Sequence, residues 1–252
     1  MKDYLMNKDI SDKDYRAYPA ESYSSIKHLL DSPQTFLYYK SKPFQGSDST
    51  LLGTCIHHFI QGNRHLVAYN NIPRTSKANK EAYVEFEREF KELAGEDGII
   101  VPKTFEEKIN SVMTNFNDNK QALKLLNDAK IEEPFLFEYN GVSLKGKLDG
   151  VKKDSVIEIK TSSMATSSSE FRYEAYDRDY DLQAFLYCTA SKSKHHFFIV
   201  ANTTAPFAVN VYKSSAEFLL SGKQKADIVT ERYKRHIINQ EPFLEEEEIP
   251  EI

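Results

Sequence analysis

No stretch of the 252 residues comes near the roughly 20 consecutive apolar residues that a membrane-spanning helix needs. The opening "MKDYLMNKDISDKDYRAY" also lacks the apolar core of a secretory signal, so a cytoplasmic protein is expected. Cysteine is scarce. Cys55 and Cys188 are too few for a four-cysteine zinc or iron–sulfur site, and each lies in an apolar helical pattern, where a small buried hydrophobe belongs. Nor is there an excess of positive charge. The formal net charge of −5 argues against a surface coated all round by nucleic acid, though not against a local groove. Five glutamates crowd into residues 245–251, in a stretch that also carries two prolines nearby. A solvated acidic tail over 241–252 is therefore expected after a single domain spanning 1–240, with 1–21 as an N-terminal arm.

What is present reads first as helices. "SYSSIKHLLDSPQTFLYYK" (22–40) gives a helix capped by Ser24 or Ser25, a break at Ser32-Pro33, and an aromatic-rich helix. In "LLGTCIHHFIQG", Leu52, Cys55, Ile56 and Phe59 recur at helical spacing and Gly62 supplies the stop. Between Asn63 and Thr104 the pattern is mixed, with a polar basic loop and then an amphipathic helix that ends at Gly95. Another helical pattern covers 104–129, interrupted near Asn117-Asp118.

After Ala129 the apolar period changes from 3.6 to 2. "EEPFLFEY", Asn140-Gly141 and "VSLKGKL" form a hairpin pattern, and "SVIEIKT" is a third strand, together an antiparallel meander. The serines at 162, 163 and 167 to 169 read as a flexible connection to the helix "DLQAFLYCTAS". Two further strands and a long amphipathic helix follow. On that last helix Lys223, Lys225, Arg232, Lys234 and Arg235 read as a solvated face. The order of elements implies an α/β core with a mixed sheet.

Alternation puts Ser143, Lys145, Lys147 and Asp149 on one face of their strand and Val156, Glu158 and Lys160 on one face of the next. If the two strands pair, Asp149 and Glu158 can meet at one end of the sheet. Two neighbouring carboxylates repel unless a cation stands between them, and a hard divalent ion such as Mg²⁺ would resolve that. Lys160 would then project toward an ion-bound water or a scissile phosphate, an arrangement suited to phosphodiester hydrolysis. The competing reading is three solvated surface charges.

With other residues, this trio resembles the PD-(D/E)XK nuclease superfamily, and within it the RecB-like and exonuclease VIII (RecE-type) branch of phages and prophages. The branch's motifs occur here in order: "GTCIH" (Gly53 to His57), "EEPF" from Glu132, "GKLD" (Gly146 to Asp149), "EIK" (Glu158 to Lys160) and "QAFLY" (Gln183 to Tyr187). Leu148 stands where the superfamily name has proline, and Glu158 replaces the aspartate common in the exonuclease VIII group.

The resemblance implies a restriction-endonuclease-like core, a central mixed β-sheet flanked by helices. It implies that His57, Asp149, Glu158 and the Ile159 carbonyl hold Mg²⁺ or Mn²⁺, that Lys160 is the catalytic lysine, and that Glu132, or Glu133 if the register slips, is an additional acidic residue. Gln183 and Tyr187 would touch substrate phosphate or steady the catalytic face. Helical periodicity alone does not choose between His57 and His58. Arg74, Lys77, Lys80, Lys145 and Lys147 are candidate contacts to the DNA backbone. The implied function is metal-dependent 5′ to 3′ exonuclease action on linear duplex ends in phage-type recombination. A homo-oligomeric ring and a single-strand annealing protein would be its partners. The alternatives are an endonuclease or single-strand nuclease of a repair or defence system, and a DNA-binding module without catalysis.

Overall fold

The computed structural model describes residues 4–5, 10, 12–42, 46–73, 75–95, 97–164 and 167–243. The chain starts with strand β1 (Tyr4–Leu5), helix α1 (Asp12–Ala17), strand β2 (Glu21–Ser22) and a short helix α2 (Tyr23–Ile26). Ser22 caps α2 in place of Ser24 or Ser25, because its hydroxyl accepts the Ser25 N–H while the Ser25 hydroxyl accepts the Ser22 N–H. Helix α3 (Pro33–Ser41) begins where expected, with Ser32 as its cap.

Helix α4 (Asp48–Ile60) is followed by strand β3 (Val67–Asn70), helix α5 (Lys77–Ala94) and strand β4 (Ile99–Pro102). The strands β3 and β4 make a separate two-stranded parallel sheet, which accounts for the mixed pattern in this part of the sequence. Helices α6 (Phe105–Asp118) and α7 (Lys120–Leu126) break at Asn119, a little beyond the expected interruption. The Asn119 side chain accepts the Gln121 and Ala122 N–H groups and so starts the new helix.

The second half of the chain supplies most of the central sheet. Strands β5 (Lys130–Tyr139) and β6 (Val142–Lys152) form the hairpin, with Asn140 and Gly141 at φ of 49° and 81°, the left-handed pair that a two-residue turn requires. Strand β7 (Ser155–Ser162) completes the antiparallel meander. Helices α8 (Ser168–Asp177) and α9 (Tyr180–Ser191) then carry the chain over to strand β8 (His195–Asn202), parallel to β7 as such a crossover allows. Strand β9 (Val209–Lys213) and helix α10 (Ala216–Arg232), extended by a π-helical stretch Tyr233–Ile238, close the fold. The strand order is β1-β5-β6-β7-β8-β9, with β2 lying parallel beside β6.

Helices cover both faces of the sheet. On one, Ile157, Ile159, Ile199 and Ala201 pack against Leu52, Ile56 and Ile109 of α4 and α6. On the other, Val156 and Leu144 meet Leu182 and Leu186 of α9, while Phe198 and Val200 meet Phe171 of α8 and Phe218 of α10. Cys55 and Cys188 are buried free thiols, as small hydrophobes would be. Among the described residues no helix is long and apolar enough to cross a membrane.

Two further readings are corrected. The serines at 167 to 169 start α8: the Ser167 hydroxyl accepts the Glu170 N–H while Glu170 takes the Ser167 N–H. The basic residues of the last helix are not all solvated, since Lys225 binds Asp179 and Asp181 and Arg232 donates to the carbonyls of Leu29 and Leu30. Of the acidic tail, residues 244–252 lie outside the described residues.

Candidate active site

The site grows out of a fork in the sheet. Along one edge of β6, β2 pairs with Leu144 and Lys145 and β7 pairs with Gly150 to Lys152. From Gly146 to Asp149 that edge has no paired strand among the described residues. The main-chain ladder ends at Gly150 opposite Ile157, and the side chain of Asp149 takes over: its Oδ2 accepts the Ile159 N–H at 2.8 Å. Asp149 and Glu158 are only 9 % and 4 % exposed, which removes the reading of solvated surface charges.

Glu158 and Lys160 project toward α9, in the same row as the core residue Val156. Lys160 Nζ donates to Glu158 Oε1 at 2.9 Å and to Gln183 Oε1 at 2.8 Å, and Gln183 Nε2 donates to Glu158 Oε1 at 2.7 Å. The amine also lies 4.4 Å from the centre of the Tyr180 ring. Tyr187, one turn after Gln183, is buried edge-on against Phe135 at 5.2 Å. That packing depends on Gly146, where a Cβ would stand 2.3 Å from the Phe135 ring.

Helix α4 brings the third side. Gly53 lets it approach β7 closely, since a Cβ there would lie 2.8 Å from Thr161 Oγ1. One turn on, His57 Nδ1 stands 3.7 Å from Asp149 Oδ2. His58 lines the same cleft, but the imidazole beside Asp149 is that of His57. Another turn along, Gln61 donates to Glu132, which also faces Lys147 at 3.4 Å. Glu132 sits in β5 at φ of 56°, in the one position between Ile131 and Glu133 that makes no ladder pair, and it lines the cleft.

Burial is the main cause that pushes Asp149 up to about 7, and it does the same to Glu158, there reinforced by the charge of Asp149. Burial alone would lower Lys160, yet Glu158, Tyr180 and Asp149 outweigh it and hold the ammonium above its ordinary value. Burial lowers His57, which favours the neutral imidazole. Among the described residues no group of three or more His, Cys, Asp or Glu side chains is already gathered as a metal site. The donor set nonetheless fits a hard divalent ion. Glu158 Oε2 is buried with no hydrogen-bond partner, and an oxygen of that kind, beside a second buried carboxylate, is short of a cation.

The cleft over these residues has a volume of about 730 Å³. Lys147 lines it and Lys77 stands exposed at the start of α5, 3.9 Å from Glu81. Lys145 departs from the expectation of a DNA contact. Its side chain is buried and its ammonium donates to the carbonyls of Tyr15, Arg16 and Tyr18 at the end of α1, so its three protons are already used. Arg74 lies outside the described residues. Among the cleft residues not singled out from the sequence are Gln61, Glu174, Arg178 and Tyr180. Gln61 could have been found, because it follows His57 by four residues on a helix.

A mixed sheet flanked by helices, forked at a buried Asp and a Glu-x-Lys strand, defines a restriction-endonuclease-like fold of the PD-(D/E)XK class. The model of the "PDDEXK-like domain of unknown function (DUF3799)" matches residues 22–244, and the chain belongs to that family. The fold is shared with the "Putative exonuclease" of Eubacterium rectale, at a TM-score of 0.63 and 12% identity, over 94% of this chain and 88% of that one. A "phage related exonuclease" from Haemophilus somnus 129PT is 16% identical over 74% of this chain and 94% of its own, but its TM-score of 0.34 is too low to carry weight. No curated protein matches the chain. Family and fold support a nuclease, and nucleases of this class generally use divalent metals.

Proposed function

We propose that the protein is a divalent-metal-dependent deoxyribonuclease that degrades linear double-stranded DNA from its ends, 5′ to 3′, for end resection. One observation carries the reading: a buried, unpartnered carboxylate oxygen on Glu158, next to buried Asp149, with the Lys160 ammonium fixed beside both. Asp149, Glu158, His57 and the Ile159 carbonyl would hold Mg²⁺ or Mn²⁺, with Glu132 supporting from the rim. When bound, the ion supplies Lewis acidity and a water of lowered pKa.

Hydrolysis adds the oxygen of a water to phosphorus and breaks the bond to the departing sugar oxygen. Without a bound cation, Glu158, Tyr180 and Asp149 hold Lys160 above its ordinary value, and as an ammonium it would donate a hydrogen bond toward developing phosphate charge. Gln183 holds that amine in place, and the Tyr180 ring supports it. Tyr187 steadies the face from behind. Lys147 is suited to a backbone phosphate at the cleft wall, and Lys77 to a more distant one. A ring-forming oligomer and a single-strand annealing partner accompany this reading on the strength of the motif resemblance.

Duplexes labelled separately at each 5′ and 3′ end, digested in Mg²⁺ and in Mn²⁺, test it together with a closed circular control. Early loss of the 5′ label and an intact circle are expected, and Lys160→Ala should leave both labels of the linear duplex in place. A wild-type preparation that leaves linear, nicked and single-stranded DNA intact in both metals sinks the proposal. Cutting of the circle would instead favour the endonuclease alternative.

A further inference from the structure

Glu174 is a buried carboxylate, 8 % exposed, that none of the nuclease motifs includes. One of its oxygens accepts the Ser162 hydroxyl at 2.6 Å, and the other forms an ion pair with Arg178 Nε at 2.9 Å. The arginine side chain is itself 57 % exposed and lines the same cleft as Lys160 and Tyr180. Burying a carboxylate is costly, and here the cost is met by fixing the root of an otherwise open guanidinium. Because Glu174 engages Nε, the two terminal amino groups take no protein partner among the described residues. They form the planar fork that matches a phosphate.

The backbone that carries this fork is pinned from several directions. The Tyr23 hydroxyl donates to the Arg178 carbonyl. Asp179, at φ of 59°, turns the chain from α8 into α9, and its carboxylate and that of Asp181 both bind Lys225, at 2.7 and 2.9 Å. The same corner presents the Tyr180 ring to Lys160, so the guanidinium and the catalytic amine are held by one rigid piece of chain.

We propose that Arg178 is a binding residue for the substrate backbone, gripping a phosphate next to the scissile one through its two terminal amino groups, with Glu174 as its positioning residue. The inference rests on the nuclease reading and extends it to how the strand is held. A plain structural role, in which Arg178 merely neutralises Glu174, would leave DNA affinity unchanged when the arginine is removed.

The test is fluorescence anisotropy of a 5′-fluorescein duplex with the full chain, over a series of salt concentrations without divalent metal, on wild type, Arg178→Ala, Arg178→Lys and Glu174→Gln. Arg178→Ala should bind about tenfold more weakly, as loss of a charge-assisted hydrogen bond implies, and its slope of log affinity against log salt should fall by about 0.9, one phosphate contact. Arg178→Lys should keep the slope and recover only part of the affinity, since it has charge but no fork. Glu174→Gln, which keeps an acceptor for Nε, should weaken binding less than Arg178→Ala. In steady state the loss should appear mainly in KM. If wild type binds but Arg178→Ala matches it in affinity and slope, the clamp is overturned alone. If wild type neither binds nor cleaves DNA, the clamp falls together with the nuclease reading.

Discussion

The carboxylate of Asp149 accepts the main-chain N–H of Ile159 at 2.8 Å, where a paired strand would have offered a carbonyl. A ladder bond is thus replaced by a side chain, and the gap so opened is where the charged residues gather. The metal-binding role proposed for Asp149 is built on a structural one.

Those two roles can be separated. Asp149→Asn keeps an acceptor for the Ile159 N–H, whereas Asp149→Ala leaves a buried donor unpaired, at a cost of about 1–3 kcal/mol. Both should lose hydrolysis on the order of a thousandfold, as removal of a group that stabilises transition-state charge does. Thermal melting in EDTA should nevertheless rank Asp149→Asn clearly above Asp149→Ala. Equal melting temperatures would mean that the Ile159 contact contributes nothing.

The buried carboxylates set a pH dependence whose sign is unusual for acidic groups. Asp149 and Glu158 titrate near 7 in the folded chain, against ordinary values of 3.8 and 4.5. A raised carboxyl pKa means that the folded state holds protons the unfolded state has released. Their contribution is therefore fully favourable below about pH 4 and is lost as pH rises through about 7. His57, Lys160, Glu132 and Lys147 face the pair and enter the same balance. Melting curves in EDTA should fall between pH 5.5 and 8, after correction with Asp149→Asn. Mg²⁺ or Mn²⁺ should raise the melting temperature more at pH 8 than at pH 5.5. A metal effect that is equal at both pH values would contradict the assignment.

Gln183 joins Lys160 to Glu158 from a neighbouring helix. Gln183→Leu removes both hydrogen bonds at nearly constant volume and leaves the ammonium less fixed. We expect kcat to fall about 10- to 100-fold, the scale of a small misplacement of a reacting group, with DNA affinity less affected. Single-turnover cleavage alongside anisotropy would separate the two. A variant with wild-type single-turnover rate would show that Lys160 is held by Glu158 and Tyr180 alone.

Much of the sheet was legible because apolar and polar residues alternate from Phe137 to Leu148 on either side of the turn, and the Asn140-Gly141 pair admits few other turns. The fork was not legible. It depends on β2, a two-residue strand whose pairing with Leu144 and Lys145 is far along the chain, and local pattern carries no such information. Lys145 and Lys147 show the limit from another side. They share a face of β6, but α1 closes over one ammonium and leaves the other at the cleft. Ser167 and Glu170 could have been recognised, since Ser-x-x-Glu is a helix-start signature. Glu174 and Arg178 also have helical spacing, but the Ser162 contact that turns them into a cleft wall joins two separate elements.

Helix α4 passes close over β7 at Gly53, and that approach can be tested directly. A Cβ on Gly53 would stand 2.8 Å from Thr161 Oγ1 but 3.9 Å from Thr161 Cβ, so the conflict is with one hydroxyl. Gly53→Ala should destabilise the chain by about 1–3 kcal/mol, the usual cost of overpacking, and should also reduce cleavage, because it pushes His57 away from Asp149. Thr161→Ala removes the obstructing atom. The double variant should therefore regain both melting temperature and activity relative to Gly53→Ala alone, a coupling of neighbours that independent sites do not show. Additive losses in the double variant would mean that Gly53 is required for some reason other than the passage of the helix over Thr161.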